Sequence, residues 1–193
     1  ARRYRQRGLP MVRRLTGGGA ILHDRELTYS VIVPREHPLA RSRDELYGVV
    51  HRSVASILEQ WKLEPQLFVA GEPRPASEPF LCFERRAPGD VVAGRCKVTG
   101  SAQRRRRGAV LQHGSILLGA SEAARHLAGV GELADCRIDA DELIRRWLPS
   151  LSESLGGQWE PSSLSETVRS RANDLLTGKY MAESWLRDRR MPQ

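Results

Sequence analysis

Lys97-Val98-Thr99-Gly100-Ser101-Ala102-Gln103 is the stretch that organises this chain. It lies a short hairpin downstream of Cys82-Phe83 and is followed by Gln112-His113-Gly114-Ser115, so a lysine, a cysteine and a run of small residues can share one cleft. Of the 31 basic residues only Lys62, Lys97 and Lys179 are lysine. In a chain that writes positive charge as arginine, a lysine at 97 suits a need for a compact ammonium rather than a planar fork. A lysine on a solvated strand is the equally open alternative.

Outward from this stretch the sequence predicts strands. Phe80–Glu84 reads as a strand carrying Cys82, residues 85–89 as a turn and Asp90–Ala93 as a second strand. Ala109–Gln112 and Ser115–Leu118 follow, beyond Arg104-Arg105-Arg106-Arg107-Gly108. Short sequential strands with tight turns predict an antiparallel meander. The four arginines suit either a solvated hairpin tip or a docking patch for an acidic partner. Leu27–Val33 and Gln66–Ala70 also read as strands, and Gly71–Pro79 as a Pro-rich loop.

Apolar residues at helical spacing (Leu46, Val49, Val50, Val54, Ile57, Leu58 and Trp61) predict a helix from Ser42 or Arg43 to Trp61, with Ser42 and Glu45 as a capping box. His51 on it reads as a surface or packing histidine. Helices are also expected over Ser121–Leu127, over Asp139–Leu155 (acidic at its start, stopped by Gly156-Gly157) and from Ser163 or Ser165 to Leu176, where Gly178-Lys179-Tyr180 interrupts before Trp185. Residues 1–12 read as a helix end followed by a strand. Gly17-Gly18-Gly19, flanked by Arg13, Arg14, His23 and Asp24, suits a binding loop that needs close backbone approach.

The 193 residues, 40% hydrophobic and 28% charged, describe one soluble globular domain. No apolar run is long enough to span a membrane, and no secretory segment follows the basic opening. Three irregularly spaced cysteines argue against a disulfide framework and for a cytoplasmic protein. No clustered His/Cys ligand set occurs, so no metal is expected. A net charge of +8 suits an acidic partner, but without aromatic interleaving or a helix-turn-helix signal no nucleic-acid partner is expected.

The ordered motifs resemble the biotin/lipoate A/B protein ligase superfamily. Arg13-Arg14-x-Thr16-Gly17-Gly18-Gly19-Ala20-x-Leu22-His23-Asp24, then Leu27-Thr28-Tyr29-Ser30-Val31, looks like its glycine-loop signature. Cys82-Phe83, Lys97-Val98-x-Gly100-Ser101-Ala102-Gln103-x-Arg105, Leu111-Gln112-His113-Gly114-Ser115-Ile116-Leu117-Leu118 and Lys179-Tyr180-x-x-x-x-Trp185 look like its LipM-type octanoyltransferase branch. Gly19 stands where that branch often has arginine and the ligases have glycine.

The resemblance implies an α+β fold: a mainly antiparallel central sheet flanked by helices, a ligase-type catalytic core over residues 1–193 that lacks the family's opening segment. It implies transfer of an octanoyl group from octanoyl-acyl carrier protein, through a thioester on Cys82, to a lysine of a lipoyl domain. Such a domain would be that of glycine cleavage H protein or a 2-oxoacid dehydrogenase E2. Lys97 would lie against the acyl carbonyl. Arg14, Gly17, Gly18, Gly19, His23, Gly100, Ser101, Ala102, Gln103, His113 and Gly114 would line the substrate site.

A thioester donor and an amine acceptor suit covalent catalysis by a thiolate, and a nearby ammonium would favour that thiolate and the oxyanion. His23 and His113 are the candidates for the base that deprotonates the acceptor lysine. No cofactor is expected for this reaction. Two other functions fit the same motifs. One is an ATP- and Mg-dependent lipoate–protein ligase that has no need of Cys82; the other is a non-catalytic module that binds a lipoyl domain.

Overall fold

The computed structural model describes residues 4, 6–70 and 79–188. Residues 1–3 and 5 of the expected opening helix, and residues 71–78 of the Pro-rich loop, lie outside the described residues. The chain divides into two units: residues 18–159, and residues 1–17 together with 160–193.

The larger unit is α+β. Its five strands are β1 (Glu26–Val33), β2 (Pro65–Leu67), β3 (Val91–Ala93), β4 (Cys96–Arg106) and β5 (Ala109–Leu117). They form an antiparallel sheet in the order β1-β5-β4-β3-β2. The meander thus runs from β2 to β5, and β1 closes it along the free edge of β5. The two segments expected as Ala109–Gln112 and Ser115–Leu118 are one strand, because β5 is paired on both sides along its length. Most of the arginine run belongs to β4. Only Arg107 and Gly108 form the turn, at φ +52° and +86°, the left-handed pair that a two-residue hairpin loop requires. Arg105 is held back against the carbonyl of Ala40.

Helices α1 (Arg43–Leu58), α2 (Val130–Leu133) and α3 (Ala140–Ser154) complete this unit. Ser42 Oγ caps α1 by accepting from Glu45 N at 3.2 Å, and a 3₁₀ turn, Glu59–Trp61, extends it. Asp139 caps α3 through the N–H groups of Asp141 and Glu142. Leu46, Val50, Val54, Ile57 and Leu58 of α1 and Leu143, Trp147 and Leu151 of α3 share one buried core with Tyr29, Val33, Val98, Val110 and Ile116 of the sheet. Trp147 meets Tyr29 edge-on at 4.9 Å and donates its indole N–H to Ser53 Oγ at 2.9 Å, so its one polar atom is satisfied inside the core. On the opposite face of β1, Thr28, Ser30 and Ile32 are exposed. One sheet face is therefore packed under helices; the other, the open face, is exposed along β1 and is covered by the Cys82–Phe83 segment at Lys97.

Three expected elements do not form. Phe80–Glu84 is not a strand: Leu81 makes a single parallel bridge to Ala20, and Cys82–Glu84 is a 3₁₀ turn. The cause is Glu84, whose carboxylate accepts from Leu81 N at 3.0 Å and curls the chain after one bridge. Ser121–Leu127 is two consecutive β-turns, closed by Ala124 N to Ser121 O and Leu127 N to Ala124 O, both 3.0 Å. Ser121 Oγ takes the N–H of Ala123, and a seven-residue segment gains too little to repay helix nucleation. Residues 9–12 form no strand: Pro10 has no N–H to donate and Val12 is largely exposed.

The smaller unit carries α4 (Glu166–Leu175, capped by Ser165), a π-helical turn over Leu176–Tyr180 and α5 (Glu183–Asp188). Buried Trp185 donates to Arg13 O at 2.8 Å, Arg13 Nε donates back to Leu186 O at 2.5 Å, and Lys179 Nζ sits 4.1 Å from the Trp185 ring centroid. Arg14 and Gly17 belong to this unit.

Candidate active site

The chemistry-bearing residues of the larger unit gather where β3 and β4 meet the Cys82 turn. A β-bulge sets the arrangement. Val91 pairs with Thr99 while Val92 pairs with Lys97, so Val98 is an extra residue in β4. The extra residue shifts the side-chain alternation by one. Val98 and Thr99 both enter the helical side, and Lys97 joins Gly100 on the open side. Gly100 is essential to this placement, because a Cβ there would lie 2.5 Å from Lys97 Cε and 2.7 Å from Nζ. The lysine head occupies the volume that any larger residue at 100 would fill.

Lys97 Nζ forms a buried ion pair with Asp90 Oδ2 at 2.7 Å, contacts Cys82 O at 3.5 Å and lies 5.6 Å from the Phe83 ring centroid. Its contact with Cys82 is thus to the main-chain carbonyl. Asp90 is fully engaged: Oδ1 accepts from Tyr47 OH at 2.8 Å and Oδ2 from Ala87 N at 2.6 Å. A desolvated charge pair is stable only when its remaining lone pairs are used in this way. Tyr47 also accepts from Ser101 N at 3.3 Å, and burial, then the charge of Asp90, hold its hydroxyl far above the ordinary tyrosine range.

Behind the strand runs a second network. Tyr29 OH and Ser101 Oγ are 2.5 Å apart, Ser101 Oγ and His51 Nε2 2.6 Å, and His51 Nδ1 and Gly89 O 2.6 Å. A carbonyl can only accept, so Nδ1 carries the proton, Nε2 accepts from Ser101 and Ser101 accepts from Tyr29. The chain is satisfied only with neutral His51. Burial depresses the pKa of His51 to about 4, against the opposing effects of the Gly89 bond and the Asp90 charge, with the Lys97 charge lowering it further. Burial also lifts Tyr29 to about 12. His51 takes up its proton more readily unfolded, near pH 6.5, than folded. Stability is therefore full above pH 6.5 and falls as pH drops toward 4, by about 2 kcal/mol from pH 6.5 to pH 4.5. Denaturant titrations of the wild type and His51→Gln across that range should give a shallower pH slope for the variant; equal slopes would remove His51 as the cause.

The residues expected to line the site separate by strand periodicity. Lys97, Gly100, Ala102 and His113 share the open face, Ala102 and His113 being cross-strand partners. Ser101, Gln103 and Gly114 turn toward the helices. A Cβ on Gly114 would fall 2.6 Å from Ser101 Oγ and 2.7 Å from Tyr29 OH, and Gln103 Nε2 donates to Arg43 O at 3.0 Å and Gln112 Oε1 at 2.8 Å. Gly19 is pressed against the cysteine: its absent Cβ would be 3.1 Å from Cys82 Cα and N. Gly18 adopts φ +98°, a conformation open to glycine. His23 is exposed and its Nδ1 is hydrogen-bonded to Glu26 Oε1.

Sequence reasoning missed Asp90, Tyr47, Tyr29 and the structural role of His51. Asp90 closes a turn and Tyr47 and His51 sit one helical turn apart on α1, a spacing that was the available signal.

Cys82 is half-buried on its turn. Beside it lies a small apolar cleft of about 20 Å³, lined by Ala20, Leu22, Leu81, Phe83, Leu117 and Leu127 among others. A cysteine next to hydrocarbon-lined residues, with an ammonium against its main chain, is a suitable setting for thioester chemistry. Among the described residues no group of three His, Cys, Asp or Glu side chains is placed to hold a metal, and no helix is long and apolar enough to cross a membrane.

The chain is similar to known proteins over most of its length. Octanoyltransferase LipM of Kyrpidia tusciae is 32% identical over 205 residues, covering 93% of this chain and 74% of the relative. Octanoyltransferase LipM of Bacillus subtilis is 31% identical, covering 92% and 73%. Among solved structures, a lipoate-protein ligase A bound with ATP superposes with a TM-score of 0.73 at 26% identity, over 94% of this chain and 73% of that one. Residues 2–168 match the lipoyl protein ligase A/B catalytic domain. With 167 of 193 residues inside that match, from residue 2 to the start of α4, the chain belongs to the lipoyl protein ligase A/B catalytic domain family.

Proposed function

We propose that this chain is an octanoyltransferase of protein lipoylation. It takes the octanoyl group from octanoyl-acyl carrier protein and delivers it to a lysine of a lipoyl domain, that of glycine cleavage H protein or of a 2-oxoacid dehydrogenase E2. The observation that carries this reading is a half-buried cysteine beside an apolar cleft and a buried ammonium, in a chain about 30% identical to octanoyltransferases over most of its length.

In the first half-reaction the Cys82 thiolate attacks the donor thioester. The new carbon–sulfur bond forms, the bond to the carrier thiol breaks, and that thiol leaves with a proton. In the second the acceptor amine attacks the Cys82 thioester, the amide forms and the thiol is restored. Lys97 supplies positive charge where the carbonyl oxygen becomes negative. The donor is already activated, so the reaction needs no nucleotide. The excess of arginine, including the exposed Arg104, Arg106 and Arg107, favours acidic protein partners.

The ligase reading keeps one specific support, the likeness to a lipoate-protein ligase bound with ATP. Intact mass separates the two. Mixed with octanoyl-acyl carrier protein, without ATP or Mg, the protein should gain one octanoyl group on a peptide containing Cys82. Labelling only from free octanoate with ATP and Mg would replace the transferase with the ligase.

A further inference from the structure

Ser115 is 1% exposed, and its Oγ has no hydrogen-bond partner among the described residues. A hydroxyl buried without a partner is costly, and native structures seldom keep one without a use for it. Its place in the sheet supplies the use. Ser115 stands opposite Gly100 of β4 and opposite Thr28 of β1, so its side chain rises from the open face. Directly opposed residues carry their Cβ positions about 4.5–5.5 Å apart. The Cβ position of Gly100 is where Lys97 Cε and Nζ lie, at 2.5 and 2.7 Å. The Ser115 hydroxyl and the Lys97 ammonium are therefore neighbours on one face. Thr99 Oγ1 is also unpartnered, but Thr99 opposes core residue Ile116 and faces the helices.

Lys97 spends two of its three N–H groups on Asp90 and Cys82 O. The pair thus offers one ammonium hydrogen and one hydroxyl hydrogen on the same face, with no acceptor for either among the described residues. We propose that Ser115 is a catalytic residue whose hydroxyl, alongside Lys97, donates a hydrogen bond to the carbonyl oxygen of the acyl group at Cys82. The inference rests on the acyl-transfer reading of this site, but it requires only an acyl oxygen there, whether of a thioester or a carboxylate. It assigns the oxyanion stabilisation to two side chains on adjacent strands, held in register by the β4–β5 ladder. The hydroxyl needs no counter-charge to act.

Ser115→Ala tests this with three measurements on the whole chain. The melting temperature should stay level or rise, because the variant removes a buried orphan. The affinity for octanoate, read by calorimetry, should weaken at least about tenfold, and octanoyl transfer should slow about 100- to 1,000-fold in kcat/KM, the effect of losing one oxyanion donor. Unchanged octanoate affinity and transfer would overturn the proposal, as would a lowered melting temperature with affinity intact. A wild type that binds octanoate through Ser115 but draws no acyl group from octanoyl-acyl carrier protein would sink the transferase reading and leave Ser115 in place. A wild type that does neither would sink both.

Discussion

Cys82→Ala is expected to remove acyl transfer altogether, at least about 1,000-fold, while changing stability by less than about 1 kcal/mol. The two effects separate because of where the cysteine sits. Its backbone is fixed by Cys82 N donating to Ala20 O at 2.7 Å, by the 3₁₀ turn and by the Glu84 cap, none of which involves the thiol. The side chain is half-exposed, so its truncation leaves no large cavity. Activity has no such substitute: without sulfur there is no thioester and the two half-reactions cannot be separated. Cys82→Ser should form a slower and longer-lived ester, because an alkoxide is a poorer leaving group than a thiolate. Mass spectrometry of the acyl adduct beside a coupled transfer assay reads both. Octanoyl transfer surviving in Cys82→Ala would end the covalent mechanism.

Gly100→Ala should be nearly as damaging by a different route. The new methyl group would stand 2.5 Å from Lys97 Cε and 3.2 Å from Asp90 Oδ1. Lysine ends are flexible, but this one is buried and paired, with its side chain 4% exposed and that of Asp90 1%. Displacing it breaks the pair and leaves the Asp90 carboxylate buried without its cation, a loss of about 3–5 kcal/mol. Acyl transfer should fall about 100-fold or more as the ammonium leaves the carbonyl. Gly157→Ala is the control, since a Cβ there meets nothing within 4 Å and no positive φ is lost. Denaturation midpoints for the two variants should differ clearly. A Gly100→Ala protein as stable and active as the control would show that Lys97 has another resting place.

Much of this architecture was legible in the sequence. Ser42 and Asp139 announce the starts of α1 and α3 because capping is a local interaction, and β1 is legible because its β-branched and aromatic residues need only a sheet to sit in. Cys82 and Lys97 stood out through their motifs. What stayed hidden depends on contacts distant in sequence or on small shifts of register. The Phe80–Glu84 segment has strand composition, and only the reach of Glu84 back to Leu81 turns it. Asp90 reads as the opening residue of a strand until Lys97 is seen across the bulge. His51 is an ordinary helical histidine until Gly89 and Ser101 are found at its two nitrogens. The bulge at Val98 is one residue in length, leaves no compositional mark, and decides which face Lys97 joins.

The alternation along β4 and β5 also shapes how such a protein can change over generations. Positions 97, 100, 102, 113 and 115 share the open face, whereas 99, 101, 103, 112 and 114 face the helices, and the two sets interleave in one short motif. Heritable variation at 102 and 113 can retune the open face with little effect on folding, whereas 97 and 100 are tied to the buried Asp90 pair and cannot change without a loss of stability. Variation in the second can adjust thermal tolerance with little effect on chemistry. Adjacent letters of one conspicuous motif thus answer to separate selective pressures.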